Sequence, residues 1–572
     1  MNEKAGHRAD MGAAGEGATV YDQPRSNGTD NNDKSEHTTN SNDNGSETVS
    51  VGDEDEDEDD SIQTETSPPV RIRSASRHRS EADLESNTGV VDEVVLGPGT
   101  EEKDPFEVAW DGGDADPLCP RSMSTARKWL IVFVTCFGSS CVTCASSVYT
   151  SSYTGMNAEF GGTSTIVATL GLSTFVLGIA LGPAWSPLSE FYGRRPIYLG
   201  SFFLFTVWII PSAVAKNIET MVIARFFQGF TGSAFLSVAG GTVGDLFTRE
   251  TMQAPMAVFS TAPFLGPSIG PLIGGFINTN PDNWRWTHYT LIIWAFCLFF
   301  ALFLFVPETY HPVLLQKKAQ RLRKETGDDR WQAPLEKANA NKSMAGAIGH
   351  ALLRPFQLLR YEPMCLALDL YSAILLGIIY LFFGAFPLVF EGNHGFTLWQ
   401  TGLSFMGMFV GMAAAGASFP IWTRVRAGLI AKRPGKQSEP EDRLPSVMVG
   451  AICAPIGLFW FGWTSYASIH WIVPIIGSAV FGLGALFAFS GIFTFLVDAY
   501  PLYAASALAG NAFVRCTFAA AFPLFGVQMY KGIGDQWATS VLAFMAVAMM
   551  PFPFFFFKYG KRLRGHSRFA VN

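Results

Sequence analysis

Apolar stretches of about 20 residues recur along this chain from Trp129 almost to its end, separated by short polar breaks. A stretch of that length is long enough for an α-helix to cross the hydrocarbon core of a bilayer. No water is available there to bind exposed backbone groups, so a spanning segment satisfies its own hydrogen bonds as a helix. The sequence therefore predicts an all-α polytopic membrane protein with twelve transmembrane helices. The predicted spans are 129–150, 166–188, 197–215, 221–243, 256–277, 286–306, 364–390, 397–421, 445–466, 471–495, 502–524 and 536–557.

The connection at 307–363 is longer and more charged than any other, and it divides the helices into two groups of six. We therefore predict two six-helix bundles, at 128–306 and 364–557, joined by a central loop at 307–363. A short C-terminal tail at 558–572 follows the second bundle.

The first 127 residues differ in composition from the rest of the chain. They are rich in Ser, Asn, Asp, Glu and Gly, and they contain the acidic run DEDEDEDD at 53–60. They have almost no periodic apolar face on which a core could form. We predict that residues 1–127 are a disordered tail. The same acidic run makes the net charge of -8 uninformative about the membrane part.

Lys and Arg residues concentrate in alternate connections between the predicted spans. One set of connections includes the central loop and both chain ends, whereas the other set contains only Lys216, Arg285 and Lys531. Basic residues are retained on the cytosolic side of a membrane. We expect both termini and the central loop to be cytosolic.

A charged motif, SPLSEFYGRRP, occupies 186–196 in the connection after the second span. Gly193 allows a tight turn, which would bring Glu190 beside the paired residues Arg194 and Arg195. Such a charge latch between helix ends can engage in one conformational state and release in another. The alternative is that these arginines serve only to retain the loop on the cytosolic side.

Arg225 begins the motif RFFQG inside the fourth predicted span, and Gln228 follows it one turn later. An arginine within a membrane is unfavourable unless it faces a partner or a water-filled cavity, so its presence marks a functional position. The alternative is that the side chain extends to the nearby end of its helix.

A run of small residues and prolines, GPSIGPLIGG, occupies 266–275 in the fifth predicted span. Glycines at this spacing let neighbouring helices approach closely, and the prolines permit a bend. The alternative is a packing face without further function. The residues of this pattern are Gly266, Pro267, Gly270, Pro271, Gly274 and Gly275.

These three motifs resemble, in sequence and position, those of the major facilitator superfamily. The segments PETYHPVLLQKKAQRLRK at 307–324, DAYPLYAASALAGNAFVR at 498–515 and FPLFGVQMY at 522–530 resemble the fungal drug:proton antiporters with twelve spans. That group includes multidrug, azole-resistance and polyamine exporters. The resemblance implies the major facilitator fold, export in exchange for protons, proton coupling at Arg225 and Gln228, and an antiporter role for the glycine motif. It also implies a location in the plasma membrane, with the vacuolar membrane as the alternative.

Three charged residues lie within or beside spans of the second bundle. An unpaired charge at such depth is costly, so each needs a partner or access to water. We expect Asp498 and Arg515 to form a buried ion pair. Asp369 is a candidate site for a proton or cation, and the alternatives are helix capping or a contact with Arg360.

In the implied fold the substrate cavity lies between helices 1, 4, 7 and 10. The residues expected to line it are aromatic or neutral and polar, which suits amphipathic or aromatic substrates. The first helix contains no acidic residue, so a polyamine substrate is not favoured. For each residue the alternative is ordinary helix packing. The expected lining residues are Ser139, Ser140, Thr143, Tyr149, Gln228, Tyr371, Tyr380, Phe487, Ser490 and Phe493.

Other classes of protein lack support in the sequence. No G-x-x-x-x-G-K-[ST] loop of an ATP-driven pump occurs, and the nine histidines are scattered rather than clustered as metal ligands. We expect no enzymatic activity, no cofactor and no metal. The expected partners are a small-molecule substrate, protons and the bilayer, with no nucleic acid, and the chain is expected to act as a monomer. An importer on the same fold and, less favoured, a transporter-like nutrient sensor remain the alternatives.

Overall fold

The computed structural model describes residues 106–248, 251–279, 284–339, 344–433, 438–565 and 567–570. Most of the predicted tail, including its acidic run at 53–60, lies outside the described residues. Within the described residues, eleven helices are long and apolar enough to cross a membrane, and one bent pair makes a twelfth span. The predicted all-α fold is confirmed. The spans are α1 (Thr125–Glu159), α2 (Thr165–Tyr192), α3 (Arg194–Ala213), α4 (Ile218–Leu246), α5 (Gln253–Ile277), α6 (Trp286–Phe305), α7 (Pro363–Asn393), α8 (Leu398–Ala417 and Phe419–Lys432), α9 (Pro440–Trp463), α10 (Ile472–Ala499), α11 (Pro501–Ile533) and α12 (Asp535–Arg564).

The bend in α8 separates Leu398–Ala417 from Phe419–Lys432 by 40°. Ser418 lies at the junction, and its hydroxyl donates to the carbonyl of Ala415 at 2.7 Å. Pro420 follows and has no amide hydrogen to continue the α-helical pattern. The second half of α8 extends beyond residue 421, where the sequence analysis ended this span.

Helix packing repeats from the first half of the chain to the second. In the first half, α1 packs on α5, α2 on α4 and α3 on α6. In the second half, α7 packs on α11, α8 on α10 and α9 on α12. Between the halves, α2 packs on α11 and α5 on α8. Each pair has its counterpart when six is added to the helix numbers, so the two bundles are structural repeats.

Glycines bring α2 and α4 into close contact. A Cβ on Gly178 would lie 2.7 Å from the amide nitrogen of Phe230, and one on Gly229 would overlap the carbonyl of Phe175. Small residues at such crossings let helix backbones touch in a membrane, where helix association relies on close packing.

The segment between the halves forms three further helices, His311–Thr326, Pro334–Asn339 and Met344–Tyr361. We call the end of the molecule that carries this segment the basic end.

Residues 106–122, which precede α1, pack against these connecting helices, and we call them the docked segment. The amide of Val108 donates to the carbonyl of Gln332 at 3.0 Å, and the amide of Gln332 donates to the carbonyl of Phe106 at 3.0 Å. Val108 is buried with Ala319 and Ala333. The expectation of a structureless tail up to residue 127 is therefore wrong for its last part, because this short segment finds its partners in the central loop.

Lys318 holds the docked segment by charge. Its ammonium donates to the carbonyl of Ala109 at 2.9 Å and to the carboxylates of Asp111 at 2.7 Å and Asp116 at 3.3 Å. The amide of Leu118 also donates to Asp116 at 2.9 Å. That backbone hydrogen bond, aided by Lys318, holds the pKa of Asp116 below its usual value.

Removing the Lys318 ammonium should loosen the docked segment while leaving the spans in place. In Lys318→Ala we expect amide hydrogen exchange in residues 106–122 to accelerate on the order of tenfold, because hydrogen bonds to a charged donor are lost. The measurement is hydrogen exchange followed by mass spectrometry. Lys317→Ala is the control, since Lys317 is exposed on the same helix. Equal exchange in both variants would contradict the role of Lys318.

Candidate functional site

The guanidinium of Arg225 is fully buried between α1, α2 and α4. Its Nη1 donates to the carbonyl of Ala145 at 2.7 Å, its Nη2 to that of Ser146 at 2.9 Å, and its Nε to that of Gly171 at 3.2 Å. The side chain therefore points into the bundle, and the alternative of an arginine that extends to the end of its helix is wrong. Backbone carbonyls offset the cost of taking the charge out of water.

Two aromatic rings cover the guanidinium. Its central carbon lies 4.5 Å from the ring centre of Tyr149 and 4.4 Å from that of Phe175. Aromatic faces attract a desolvated cation. The hydroxyl of Tyr149 donates to the carbonyl of Ala168 at 3.0 Å. Tyr149 therefore packs beside Arg225 instead of presenting its hydroxyl to a cavity.

The carbonyls that receive Arg225 lie just before an irregular turn of α1. In a regular α-helix, the amides of Tyr149 and Thr150 would bind the carbonyls of Ala145 and Ser146. Tyr149 and Thr150 instead belong to a 3₁₀ turn, Tyr149–Ser152. This change of hydrogen-bonding pattern suits the entry of a side-chain donor at these two carbonyls.

Ser146 also links the two halves of the molecule. Its hydroxyl oxygen lies 2.9 Å from that of Tyr380 on α7, and both groups are buried. Both residues lie past the middle of their helices, toward the end opposite the basic end. Arg225 thus holds the backbone of the residue whose side chain meets the other half.

Gln228 turns away from the middle of the molecule. Its side-chain nitrogen donates to the carbonyl of Trp208 at 2.9 Å and to the hydroxyl of Ser212 at 2.6 Å, both on α3. Its oxygen lies 3.5 Å from Nη1 of Arg225. The structure therefore places Gln228 between Arg225 and α3, and not on the cavity wall where we expected it.

The glycine motif of α5 forms a seam with a row of hydroxyls on α1. A Cβ on Gly266 would overlap the hydroxyl of Thr143, and one on Gly270 would overlap that of Ser147. A Cβ on Gly274 would lie 2.7 Å from the hydroxyl of Ser151. The glycines and the hydroxyls both recur every four residues, so the two helix faces match turn by turn.

The same motif also meets the second half. A Cβ on Gly275 would lie 2.9 Å from the carbonyl of Leu398 and 3.1 Å from the Cα of Trp399, both at the start of α8. In return, a Cβ on Gly402 would overlap the carbonyl of Pro271. The helix keeps a continuous path through Pro267 and Pro271. The motif therefore packs α5 against both halves at once.

The loop motif at 186–196 forms a charged cluster at the basic end. Gly193 has a φ of 96°, a conformation that glycine adopts readily. The carboxylate of Glu308 lies against it and accepts from the amides of Arg194 at 2.8 Å and Arg195 at 3.2 Å. An acidic group is favourable at the start of α3, where amides are unpaired.

The acid that pairs with Arg194 is Asp245 at the end of α4. Nε of Arg194 lies 3.2 Å from Oδ2 of Asp245. The sequence analysis missed Asp245 and Glu308. Both acids are more than 50 residues from Arg194 in the sequence, so local spacing does not show that they lie beside it.

The equivalent position in the second half carries an equivalent ion pair. Nε of Arg443, in the first turn of α9, lies 2.8 Å from Oδ2 of Asp498 near the end of α10. Arg426 of α8 lies 3.2 Å from the same oxygen. Asp498 is therefore paired with these two arginines, and the expected pair with Arg515 is wrong. Arg515 faces away, toward aromatic rings of α5 and α10.

Asp369 is buried six residues into α7, with uncharged partners. Its carboxylate accepts from the amide of Asn511 on α11 at 2.8 Å and from the thiol of Cys365 at 3.4 Å. The same amide nitrogen of Asn511 donates to the hydroxyl of Ser372 at 2.7 Å. Neither helix capping nor a contact with Arg360 accounts for this arrangement.

The remaining lining residues are spread over several environments. Phe487 and Ser490 border a cleft near the basic end, together with Trp422 and Arg426. Tyr371 is buried, and its hydroxyl has no hydrogen-bond partner among the described residues. Ser139, Ser140 and Thr143 donate to backbone carbonyls of α1 or α5, and Phe493 stacks on Phe264.

His288 lies near the start of α6, and the sequence analysis gave it no role. It is fully buried beside Tyr149 and Trp284, with ring centres 6.5 Å and 5.9 Å away. Neither ring nitrogen has a partner within the part of the chain that the structure describes.

The family model of the Major Facilitator Superfamily matches residues 135–523. This range includes the loop motif, Arg225 and the glycine seam. The chain belongs to the major facilitator superfamily.

Similar proteins in the superfamily include fungal transporters. The chain is 52% identical to efflux pump atB of Aspergillus terreus, over 87% of this chain and 96% of that protein. It is 43% identical to probable drug/proton antiporter YHK8 of Saccharomyces cerevisiae, over 82% and 91%. It is 41% identical to multidrug transporter mdrA of Aspergillus fumigatus, over 84% and 78%. The resemblance to fungal drug:proton antiporters is confirmed.

A solved structure of the proton:xylose symporter XylE has the same fold, with a TM-score of 0.54 over 76% of this chain and 96% of that chain. The two sequences are 16% identical. This similarity concerns the fold alone.

Replacing Arg225 by lysine should destabilise this superfamily member even though the charge is kept. One ammonium cannot reach the three carbonyls that the guanidinium fork binds, and each carbonyl left unpartnered costs about 1–3 kcal/mol. We expect a lower melting temperature in detergent and the loss of pH-dependent transport in proteoliposomes. The control is Arg424→Lys, at an exposed arginine of α8. If Arg225→Lys transports with the same pH dependence as the wild-type protein, the role of Arg225 in proton coupling is refuted.

A methyl group at Gly270 should disturb the seam. We expect Gly270→Ala to lower stability by about 1–3 kcal/mol through overpacking and to slow transport. The control is Gly200→Ala, because a Cβ at Gly200 would meet no atom within 4 Å. Adding Ser147→Ala to Gly270→Ala should restore part of the loss, since the overlapping hydroxyl is removed. Thermal unfolding and transport of all variants provide the test, and equal values for Gly270→Ala and Gly200→Ala would contradict the seam.

Proposed function

We propose that this chain exports small amphipathic molecules across a membrane in exchange for protons, by alternating access between its two halves. Its relatives include proteins named efflux pump and drug/proton antiporter, which supports both the direction of transport and its coupling to protons. The glycine seam between α1 and α5 supports the antiporter reading of the motif at 266–275.

The distribution of charge carries this proposal. The ion pairs of Asp245 and Asp498 each lie within one half of the molecule. By contrast, the hydrogen bond between Ser146 and Tyr380, which joins the halves, is between two neutral groups. Bundles that are fixed internally by ion pairs suit a rocking motion in which each half moves as a unit.

We assign proton coupling to two buried groups. Asp369 can take up a proton, and its uncharged partners Asn511 and Cys365 bind it without fixing it in an ion pair. Arg225 acts on the opposite half through the backbone of Ser146, and Gln228 positions Arg225. A carboxyl that binds protons on one side and releases them on the other can drive exchange.

We propose that the basic end faces the cytosol, with both termini on that side, because basic residues concentrate there. The membrane is the plasma membrane, with the vacuolar membrane as the alternative. We define the substrate by its chemical class. The cleft around Phe487 and Ser490 combines apolar and aromatic residues with polar groups, including the charged residue Arg426, and suits a molecule with an apolar body and hydrogen-bonding groups.

The test is accumulation of a panel of labelled drugs, polyamines and organic acids in cells that lack their own exporters. We expect the chain to lower accumulation of at least one amphipathic compound several-fold, and a protonophore to abolish the difference. Arg225→Lys, matched for surface expression, is the control for coupling.

The other candidate functions predict different results. An importer would raise accumulation, and a sensor would leave it unchanged. Export that persists in the presence of a protonophore would contradict proton exchange.

A further inference from the structure

Arg515 of α11 lies against three phenylalanines from other helices. Its guanidinium carbon is 5.4 Å from the ring centre of Phe264 on α5, and 5.9 Å and 4.9 Å from those of Phe489 and Phe493 on α10. The rings are nearly parallel, since Phe264 and Phe489 stack at 4.4 Å with an angle of 11°. We call these four residues the aromatic cation cluster.

Two of the three guanidinium nitrogens of Arg515 have no hydrogen-bond partner among the described residues. These are Nε and Nη1, and both are buried. By contrast, each guanidinium nitrogen of Arg225 donates to a backbone carbonyl. A buried cation whose donors lack acceptors is energetically unfavourable. Such an arrangement is typical of a site at which a bound ligand supplies the acceptor.

The neighbouring carboxylates do not supply that acceptor. Asp498 pairs with Arg426 and Arg443. Asp369 interacts with Arg515 through space, but its oxygens bind Asn511 and Cys365. The positive charge of the cluster is therefore without a contacting anion among the described residues.

The cluster lies where the two halves meet. Phe264 belongs to the first half, whereas Arg515, Phe489 and Phe493 belong to the second. Arg515 and Phe493 keep some exposure. Helices of both halves surround them, and a charged group does not face lipid, so this exposure is toward the interior of the transporter. Separation of the halves at this interface would therefore open the guanidinium to the space between them.

We infer that Arg515 binds the anionic group of the exported molecule, and that the preferred substrates are aromatic organic acids. The guanidinium fork binds a carboxylate through two parallel hydrogen bonds. The phenylalanine rings offer flat faces on which the conjugated body of such an acid stacks. This inference rests on the proposed function and names the substrate class for it.

Binding to the purified full-length protein tests the inference without requiring transport. Cinnamate and cinnamamide share a planar aromatic body and differ in charge. By isothermal titration calorimetry, we expect the wild-type protein to bind cinnamate at least about tenfold more tightly than cinnamamide. In Arg515→Gln this preference should disappear while cinnamamide affinity stays within about twofold. Arg515→Lys should keep part of the preference, because the charge remains without the fork.

The control for net charge is Arg424→Gln, which removes an exposed arginine from the same half. It should keep the full preference for cinnamate. Three outcomes would overturn the inference: a wild-type protein without preference, a preference that survives in Arg515→Gln, and an equal loss of both ligands in Arg515→Gln. The last would make the cluster a contact that holds the halves together.

A second measurement on the wild-type protein applies if Arg515→Gln does not fold. An arginine-selective dicarbonyl reagent should label Arg515 more slowly with cinnamate present than with cinnamamide, as read by mass spectrometry of the peptide. Equal labelling would overturn the inference. Export of other compounds in the cellular assay would then stand, so failure of the substrate class is distinguishable from failure of the proposed function.

Discussion

A cation inside a membrane-spanning bundle must find acceptors for its donors, and Arg225 finds them in the backbones of two neighbouring helices. The guanidinium binds the carbonyls of Ala145, Ser146 and Gly171. These hydrogen bonds fix the orientation of α1, α2 and α4 relative to one another. Because Ser146 also meets Tyr380 of the second half, this buried cation helps to set the surface on which the halves touch. The 3₁₀ turn in α1 and the stacked aromatic rings follow from the same requirement.

Repetition extends from the helices to their charged ends. Arg194 and Asp245 in the first half correspond to Arg443 and Asp498 in the second, with the same pair of atoms in contact. The ends of α6 and α12 also repeat, but with opposite polarity. Glu308, just after α6, accepts from the start of α3, whereas Arg564, the last residue of α12, donates to Glu441 at the start of α9. The two halves therefore share the same helix packing and differ in the sign of the charge at this contact.

Hydropathy and spacing were sufficient to predict the number and grouping of the spans, because a bilayer makes segment length and polarity decisive. The burial of Arg225 followed from the cost of a charge in a membrane. The sequence was less informative about which side chains on different helices contact one another. Asp498 lies closer to Arg515 in sequence than to Arg426, and only the rotation of α10 and the bend of α8 show which arginine it meets. Likewise, no local pattern shows that Val108 packs on the central loop.

The docked segment has a consequence for how the chain is made. Ala109 and Lys318, which contact one another, are 209 residues apart. At synthesis rates of about 5–20 residues per second, the partner helix follows the segment by roughly 10–40 s. During that interval residues 106–122 cannot dock, because their partner helix does not yet exist. Their docking therefore follows the synthesis of the first six spans, which ties the state of this junction to the progress of translation.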